Sequence, residues 1–387
     1  MSGQKRQTIA FISLYTQMGG VEYTLFHLLK NIDRNKYRPL LIVNDDGPLV
    51  EKIRSLGIEV FFIKFRTVML KELVRTEICM HNLSASLALR KLFKEYDVSI
   101  LSCTDVLSLI LLFPSLISGF PRVVYSVTVF YERSRLILFN ILAAIFVHKI
   151  VYNSRMTREH TEHGTAGLRR KGIVIYNGVD KEDFYPRSSG EKISLRKRLS
   201  LPADKIIIGF IGRYDLWKGH RTFLEAAKLL LKKRNDLQFL IVGGSITGDV
   251  IPAAERYRTS VLELASAFGF GENLIIWDHR NDIPDIMACL DVFVCPSERE
   301  PYGLVILEAY ASGIPVVASI TIGALEIFPA DTRIFIAEPD DPGSFGSMIE
   351  EAIFCKEKEK PFRHEDISPL TNVTWQVYTK KVEDLFK

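Results

Sequence analysis

The sequence predicts an α/β protein made of two Rossmann-like domains. Three observations point there. At 387 residues the chain exceeds the length at which a single hydrophobic core keeps growing. Short apolar runs alternate with longer helical patterns from end to end, as βαβ units and parallel sheets require. Runs such as IIIGFI (206–211) and FLIV (239–242) are apolar throughout, which suits strands covered on both faces.

Taken in order, strands are expected in the first half at residues 8–14, 37–43, 59–63, 100–103, 123–127, 149–152 and 173–176. In the second half they are expected at 205–211, 238–242, 274–277, 292–295, 316–318 and 334–337. The cluster YPRSSGEK at 185–192 has the Pro/Ser/Gly/charge composition of a linker. It divides a first domain, 1–186, from a second, 193–365, and residues 368–387 read as a closing helix. The N-terminal MSGQKRQTIAFISLY runs into a Gly-rich turn and reads as a first strand, not a signal peptide. Two uncharged apolar stretches, 106–121 with Pro114 inside it and 136–147, are short for a bilayer span. Both read as buried helices.

Composition narrows the class. Hydrophobic residues make up 47% and charged residues 25%, as in globular proteins. The five cysteines, Cys79, Cys103, Cys289, Cys295 and Cys355, form no C-x-x-C pair. That argues against a disulfide framework or a Cys-rich zinc site and fits a reducing, cytoplasmic setting. The net charge of +4 hides an asymmetry: residues 1–186 carry 25 Lys/Arg against 17 Asp/Glu, and the rest carry 25 against 29. A basic first half suggests an acidic partner, either an anionic membrane surface or a phosphorylated acceptor. Neither half has the charge or the motifs of a nucleic-acid binder.

The most informative stretch is PSEREPYGLVILEAYASGIPVVA, residues 296–318. Glu300 lies in a loop, Gly303 near a helix start and Glu308 one to two turns inside. Glycine lets backbone approach a ligand closely, and a helix N-terminus favours phosphate. Ionised carboxylates accept hydrogen bonds from hydroxyls. The layout suits a ligand with phosphate at one end and hydroxyl-rich rings beside it. The string resembles the E-x7-E signature of family 4 glycosyltransferases, retaining enzymes of the GT-B fold, with Tyr302 where Phe is commoner. IYNGVDKEDFYP, before the linker cluster, resembles a second signature of that family.

The second half opens with IIIGFIGRYDLWKGHRTFLEAAKLLLKK. Arg213 follows a strand directly and Lys218 precedes a helix whose apolar face is Phe223, Ala226, Ala227 and Leu230. Ligands of doubly wound sheets bind at the carboxyl ends of strands. Two cations there would neutralise a diphosphate and the charge that builds as a glycosidic bond breaks.

The resemblance implies the rest of the site. Two Rossmann-like domains face a cleft, with the closing helix (366–387) packed back on the first. Arg213 and Lys218 grip the donor diphosphate without a metal, Glu300 takes the sugar hydroxyls and Glu308 the ribose. Backbone at Pro301, Tyr302, Gly303 and Leu304 adds donor contacts. Gly19 and Gly20, in the GG-x-E loop, approach the donor from the first domain; the pair is not a G-x-G-x-x-G, so a nicotinamide site is unsupported. Gly243 and Gly244, with Ser245, match the V-G-x-G region less closely. Glu326, in a G-x-x-E segment, lies beside the sugar or is a solvated helix-start residue. Residues 278–282 would line the base pocket.

The catalytic set is then Arg213, Lys218 and Glu300, with no metal and no cofactor beyond the nucleotide sugar as co-substrate. The expected function is retaining transfer of a sugar to a hydroxyl acceptor, a glycan or glycolipid, in polysaccharide or glycolipid synthesis. The alternatives are a non-catalytic nucleotide-sugar binder and a GT-B-fold epimerase. One departure stands out: Thr128 occupies the place where many members carry a histidine near the reactive carbon. His148, His160 and His163 follow, and each reads as a surface or packing residue. The basic amphipathic stretch 64–75 (KFRTVMLKELVR) either lies on an anionic membrane or is the solvated face of a packed helix.

Overall fold

The structure, a computed structural model, describes residues 5–65, 76–111, 121–162, 168–244, 251–328, 333–358 and 369–387. Most of the 64–75 stretch, residues 112–120 of the first apolar run, His163 and Ser245 lie outside them. The chain divides into two compact units, Met1–Gly178 with Trp375–Lys387, and Val179–Thr374.

The first unit holds β1 (Gln7–Ser13), β2 (Tyr37–Val43), β3 (Glu59–Phe62), β4 (Val98–Cys103), β5 (Arg122–Val127), β6 (Val147–Tyr152) and β7 (Gly172–Val174). They form one parallel sheet in the order β3-β2-β1-β4-β5-β6-β7. The second holds β8 (Ile206–Ile211), β9 (Leu237–Val242), β10 (Leu274–Trp277), β11 (Val292–Cys295), β12 (Val316–Ser319) and β13 (Ile334–Ala337). These too are parallel, in the order β10-β9-β8-β11-β12-β13. Every predicted strand is present, with its ends within two residues of the expected ones. The reason is burial on both faces: every residue of β9, β11 and β12 is buried.

In both sheets the strand order reverses beside the first strand, between β1 and β4 and between β8 and β11. Helices leave in opposite directions there, and the gap at the strands' carboxyl ends is the natural ligand crevice of a doubly wound sheet.

The 185–192 cluster starts a helix. Ser188 caps Ser189–Arg198, with a Ser188–Glu191 capping box. The division between units falls earlier, because Val179 pairs with Thr374 and its N–H donates to the Val373 carbonyl. The helix is then pinned by Asp291, the residue before β11. Its carboxylate accepts from Lys192 at 2.8 Å, Arg196 at 2.5 Å and the Ile207 N–H at 2.7 Å, and also meets Lys356. Burial opposes its ionisation, but the charges of Lys192, Lys356 and Arg196 hold its pKa well below the usual carboxylate range.

Two expectations need correction. The second apolar run does form a helix, Arg133–Phe146, but only one face is buried: Phe139 and Ala143 lie in the core, while Ile137, Ile141 and Ile145 stand 55%, 54% and 66% exposed. The closing helix spans Trp375–Glu383, shorter than 368–387. It belongs to the first unit, where Trp375 stacks on His27 of the helix Gly20–Asn31 with ring centroids 4.6 Å apart. The Asp33 N–H donates to Glu383 Oε1 at 2.7 Å, and Phe386 meets Phe11 and Tyr37 edge-on. No helix among the described residues is long and apolar enough to cross a membrane.

His148 has a structural role. The β5–β6 register shifts at Val123/Val124, so that Val123 faces Val147 and Val124 faces Lys149. His148 is the extra residue of this bulge, and its Nδ1 accepts the Val123 N–H at 3.1 Å. An accepting Nδ1 needs a neutral ring. Burial, with Arg122 and Lys171 nearby, lowers its pKa accordingly.

Trp375 is 2% exposed and covers His27. Trp375→Ala should therefore destabilise the first unit by about 3–5 kcal/mol, read as a lower midpoint in urea unfolding followed by far-UV circular dichroism.

Candidate active site

The second unit brings the loops after β8 and β11 together at its switch point. Gly212 and Arg213 directly follow β8, and the 3-10 turn Leu216–Lys218 comes next. Gly219 then takes the left-handed conformation at φ +78°, and a Cβ there would stand 2.0 Å from the Pro296 carbonyl oxygen. Only glycine allows both. The Glu298 N–H donates to the Trp217 carbonyl at 2.8 Å, completing the lock between the two loops.

The lock sets the central contact. Lys218 Nζ donates to Glu300 Oε2 at 2.5 Å, with side-chain exposures of 15% and 11%. Lys218 also lies 4.3 Å from the centroid of the Trp217 ring. Ser297, fully buried, donates from Oγ to the same Glu300 oxygen at 3.3 Å. Glu300 Oε1 has no hydrogen bond to protein among the described residues. Arg213, one residue beyond Gly212, is exposed and has no ion-pair partner among them.

A second layer holds Glu300. Its N–H donates to the Thr321 carbonyl at 3.1 Å, and its carbonyl accepts from the Gly323 N–H at 3.1 Å. The Tyr302 carbonyl accepts from the Ala324 N–H at 2.8 Å, and Ser319 Oγ donates to the Ser297 carbonyl. Pro301 and Tyr302 thus run beside the segment 321–324, and Glu326 follows in the short 3-10 helix Gly323–Ile327.

Gly303 adopts φ +93° and begins the helix Leu304–Ala311. Glycine offers no side-chain cap, and of the first-turn N–H groups that of Ile306 donates to the Gly303 carbonyl at 3.1 Å. Ile306, Leu307, Ala309, Tyr310 and Ala311 are buried on this helix. Glu308 is its only charged residue and is half-buried. Its carboxyl makes no hydrogen bond or ion pair among the described residues, and desolvation raises its pKa to about 7.

His220 braces the cation loop from beneath. It is fully buried, stacks on Tyr214 at 4.6 Å and meets Phe210 and Tyr257 edge-on. Neither ring nitrogen has a hydrogen-bond partner among the described residues. Burial, and then the charge of Lys218, lowers its pKa to about 3, so the ring stays neutral. Tyr214 lies between Arg213 and Lys218 in sequence, so this stack fixes the loop carrying both cations.

Other expected residues fall as follows. Gly243 has a packing reason: a Cβ would stand 1.8 Å from the Gly212 carbonyl oxygen, and its N–H donates to the Trp277 carbonyl at 3.0 Å. Gly244 backs onto His279, and its carbonyl accepts from the Tyr214 N–H at 3.2 Å. In the 278–282 segment, Asp278 pairs with Arg258 at 2.6 Å and Asp282 with Arg280 at 2.5 Å. Gly19 and Gly20 belong to the first unit. Gly19 is the N-cap of Gly20–Asn31 and donates from its N–H to Glu22 Oε2 at 3.1 Å. Thr128 follows β5 and is half-buried. His160 Nε2 lies 3.0 Å from the Tyr131 carbonyl oxygen, tying down that loop. Among the described residues no three His, Cys, Asp or Glu side chains cluster as a metal site would need. Sequence reasoning passed over Ser297 and His220; each sits inside a motif, but its role depends on contacts distant in sequence.

Comparison with known proteins identifies the family. Residues 18–183 match the family described as Glycosyltransferase Family 4, and residues 191–365 match Glycosyl transferases group 1. The chain belongs to the family 4 glycosyltransferases. It is 27% identical over 354 residues to the UDP-Gal:alpha-D-GlcNAc-diphosphoundecaprenol alpha-1,3-galactosyltransferase of Escherichia coli, covering 87% of this chain and 85% of that one. It is 26% identical over 243 residues to the D-inositol 3-phosphate glycosyltransferase of Corynebacterium urealyticum, covering 62% of this chain and 56% of that one. The match thus spans little more than half of that relative's length. Among solved structures, Anabaena HepE in complex with UDP and glucose superposes with a TM-score of 0.82 at 19% identity, covering 98% of this chain and 99% of that one. The fold is GT-B.

The raised pKa of Glu308 has a stability consequence. A carboxyl whose folded pKa exceeds its unfolded value of about 4.5 contributes stability below that value and loses it as pH rises through about 7. Glu308→Gln should therefore raise the melting temperature at pH 8 by a few degrees and change it little at pH 4.5, as differential scanning fluorimetry will show.

Proposed function

We propose that the chain transfers a sugar from a nucleotide-sugar donor to a hydroxyl acceptor, with retention of anomeric configuration. One observation carries this reading. The second unit gathers a fixed cation, its carboxylate partner, a second exposed cation and an uncapped helix start around one switch point. Family membership supports it.

Arg213 and Lys218 would take the donor diphosphate. As the glycosidic bond breaks, negative charge grows on the departing phosphate, and two prepositioned cations stabilise it most at that moment. Glu300 orients Lys218 through Oε2 and offers Oε1 to a sugar hydroxyl. Glu308 would accept the ribose hydroxyls; an ionised carboxylate accepts two, and those bonds favour ionisation of a group that burial disfavours. The N–H groups after Gly303 would add phosphate contacts. The cations supply the neutralisation that a metal would otherwise provide, so turnover should persist in excess EDTA.

HepE is in complex with UDP and glucose, and the Escherichia coli relative is named for UDP-Gal, so UDP-sugars are the first donors to test. The basic first unit supports an anionic acceptor, a glycan or glycolipid, reached from the cytoplasmic side in polysaccharide or glycolipid synthesis.

The test is donor turnover and binding in Arg213→Ala. Because Arg213 is exposed, folding stability should stay within about 0.5 kcal/mol of wild type. Over the same change kcat/KM should fall about 10²- to 10³-fold. Unchanged turnover would overturn the assignment. Donor binding by wild type with no turnover across a broad acceptor panel would make the protein a binder.

A further inference from the structure

The face of the first unit around the helix Arg133–Phe146 is apolar where solvent should be. Ile137, Ile141 and Ile145 recur every fourth residue, so they form one stripe. Ala144, beside them, is exposed too. The opposite face packs Phe139 and Ala143 into the core, so the stripe cannot turn inward. A hollow of about 910 Å³ runs along it, lined by Leu136, Ile137, Ile141, Ala144, Arg133 and His160 among others.

Charge frames the stripe at one end. Arg133 and Arg135 open the helix and are exposed. A second hollow of about 680 Å³ shares Glu159 with the first and is lined by Arg155, Arg158 and Arg169. Arg158 is committed to Glu162 at 3.1 Å. From Tyr131 to Val174 the chain carries eight Lys/Arg against three Asp/Glu. The patch is therefore aliphatic in the middle and cationic at its margin.

We propose that this face docks on an anionic lipid surface, the isoleucines entering the hydrocarbon boundary and the arginines meeting headgroup phosphates. Protein-binding patches are enriched in aromatic residues and Met at their centres; this stripe has only Ile, Leu and Ala. An interfacial helix combines an apolar face with flanking basic residues, and lipid headgroups supply negative charge to match the excess of cations over Glu159 and Glu162 at the margin. The surface lies wholly in the first unit and owes nothing to the donor-site reading.

The experiment is sedimentation of the full chain with vesicles of phosphatidylcholine alone or mixed with phosphatidylglycerol, without sugar nucleotide. Wild type should bind the mixed vesicles, and added salt should weaken binding. Ile137→Ser/Ile141→Ser/Ile145→Ser should bind at least about tenfold more weakly, since each change removes buried hydrocarbon. Arg133→Ser/Arg135→Ser leaves the apolar stripe intact; it should also bind more weakly and lose part of the salt dependence. No binding by wild type would overturn the proposal, as would wild-type binding in both variants. Light scattering gives the other contrary result: a dimer that the isoleucine variant splits while vesicle binding is unchanged would mean that a second copy of the chain covers this face.

Discussion

The candidate site rests on one ion pair. Lys218 follows β8 and Glu300 follows β11, neighbouring strands whose helices leave in opposite directions. Their contact at 2.5 Å joins the loop that carries the cations to the loop that carries the acids. A mostly buried pair contributes little net stability unless its remaining bonds are satisfied, but breaking it is costly. Here Ser297 supplies the extra bond, Trp217 lies beside the ammonium group, and Gly219 lets the loops close to contact. These contacts hold the Lys218 ammonium group in one place. Lys218 is neutralised by its partner, while Arg213 is exposed and has no ion-pair partner among the described residues.

Neighbouring features serve the same end by other means. His220 is buried and neutral, so it braces the loop by stacking and adds no third positive charge. Glu308 is held on an apolar helix at a cost to its own ionisation. Groups arranged against their own solvation preference are characteristic of functional sites. The segment 321–324 pins the backbone at Glu300 and Tyr302, so the acid's position follows from ladder-like hydrogen bonds and not from a flexible loop.

Much of this was legible in the sequence, for physical reasons. The strands were, because parallel strands buried on both faces read as unbroken apolar runs, and β2, β10, β11 and β13 fall at the expected residues. The placing of Arg213, Lys218 and Glu300 after strand ends was, because Gly212 and Pro296 mark where β8 and β11 stop. Three things were not. The 185–192 cluster has linker composition, yet Ser188 and Glu191 make a capping box, and the same residue types serve both. Apolar content in residues 136–147 implies burial but does not say that one face stays uncovered. The roles of Ser297, Gly219 and His220 arise from contacts with residues far along the chain, which local pattern does not contain.

If Lys218 and Glu300 act as one unit, a double-mutant cycle will register their coupling. Unfolding free energies would be measured for Lys218→Met, Glu300→Gln and the double variant. The pair predicts an interaction energy of about 1–3 kcal/mol, with the double change far less costly than the two single changes combined. Additivity within about 0.5 kcal/mol would contradict it, because the two loops would then be held together by something else.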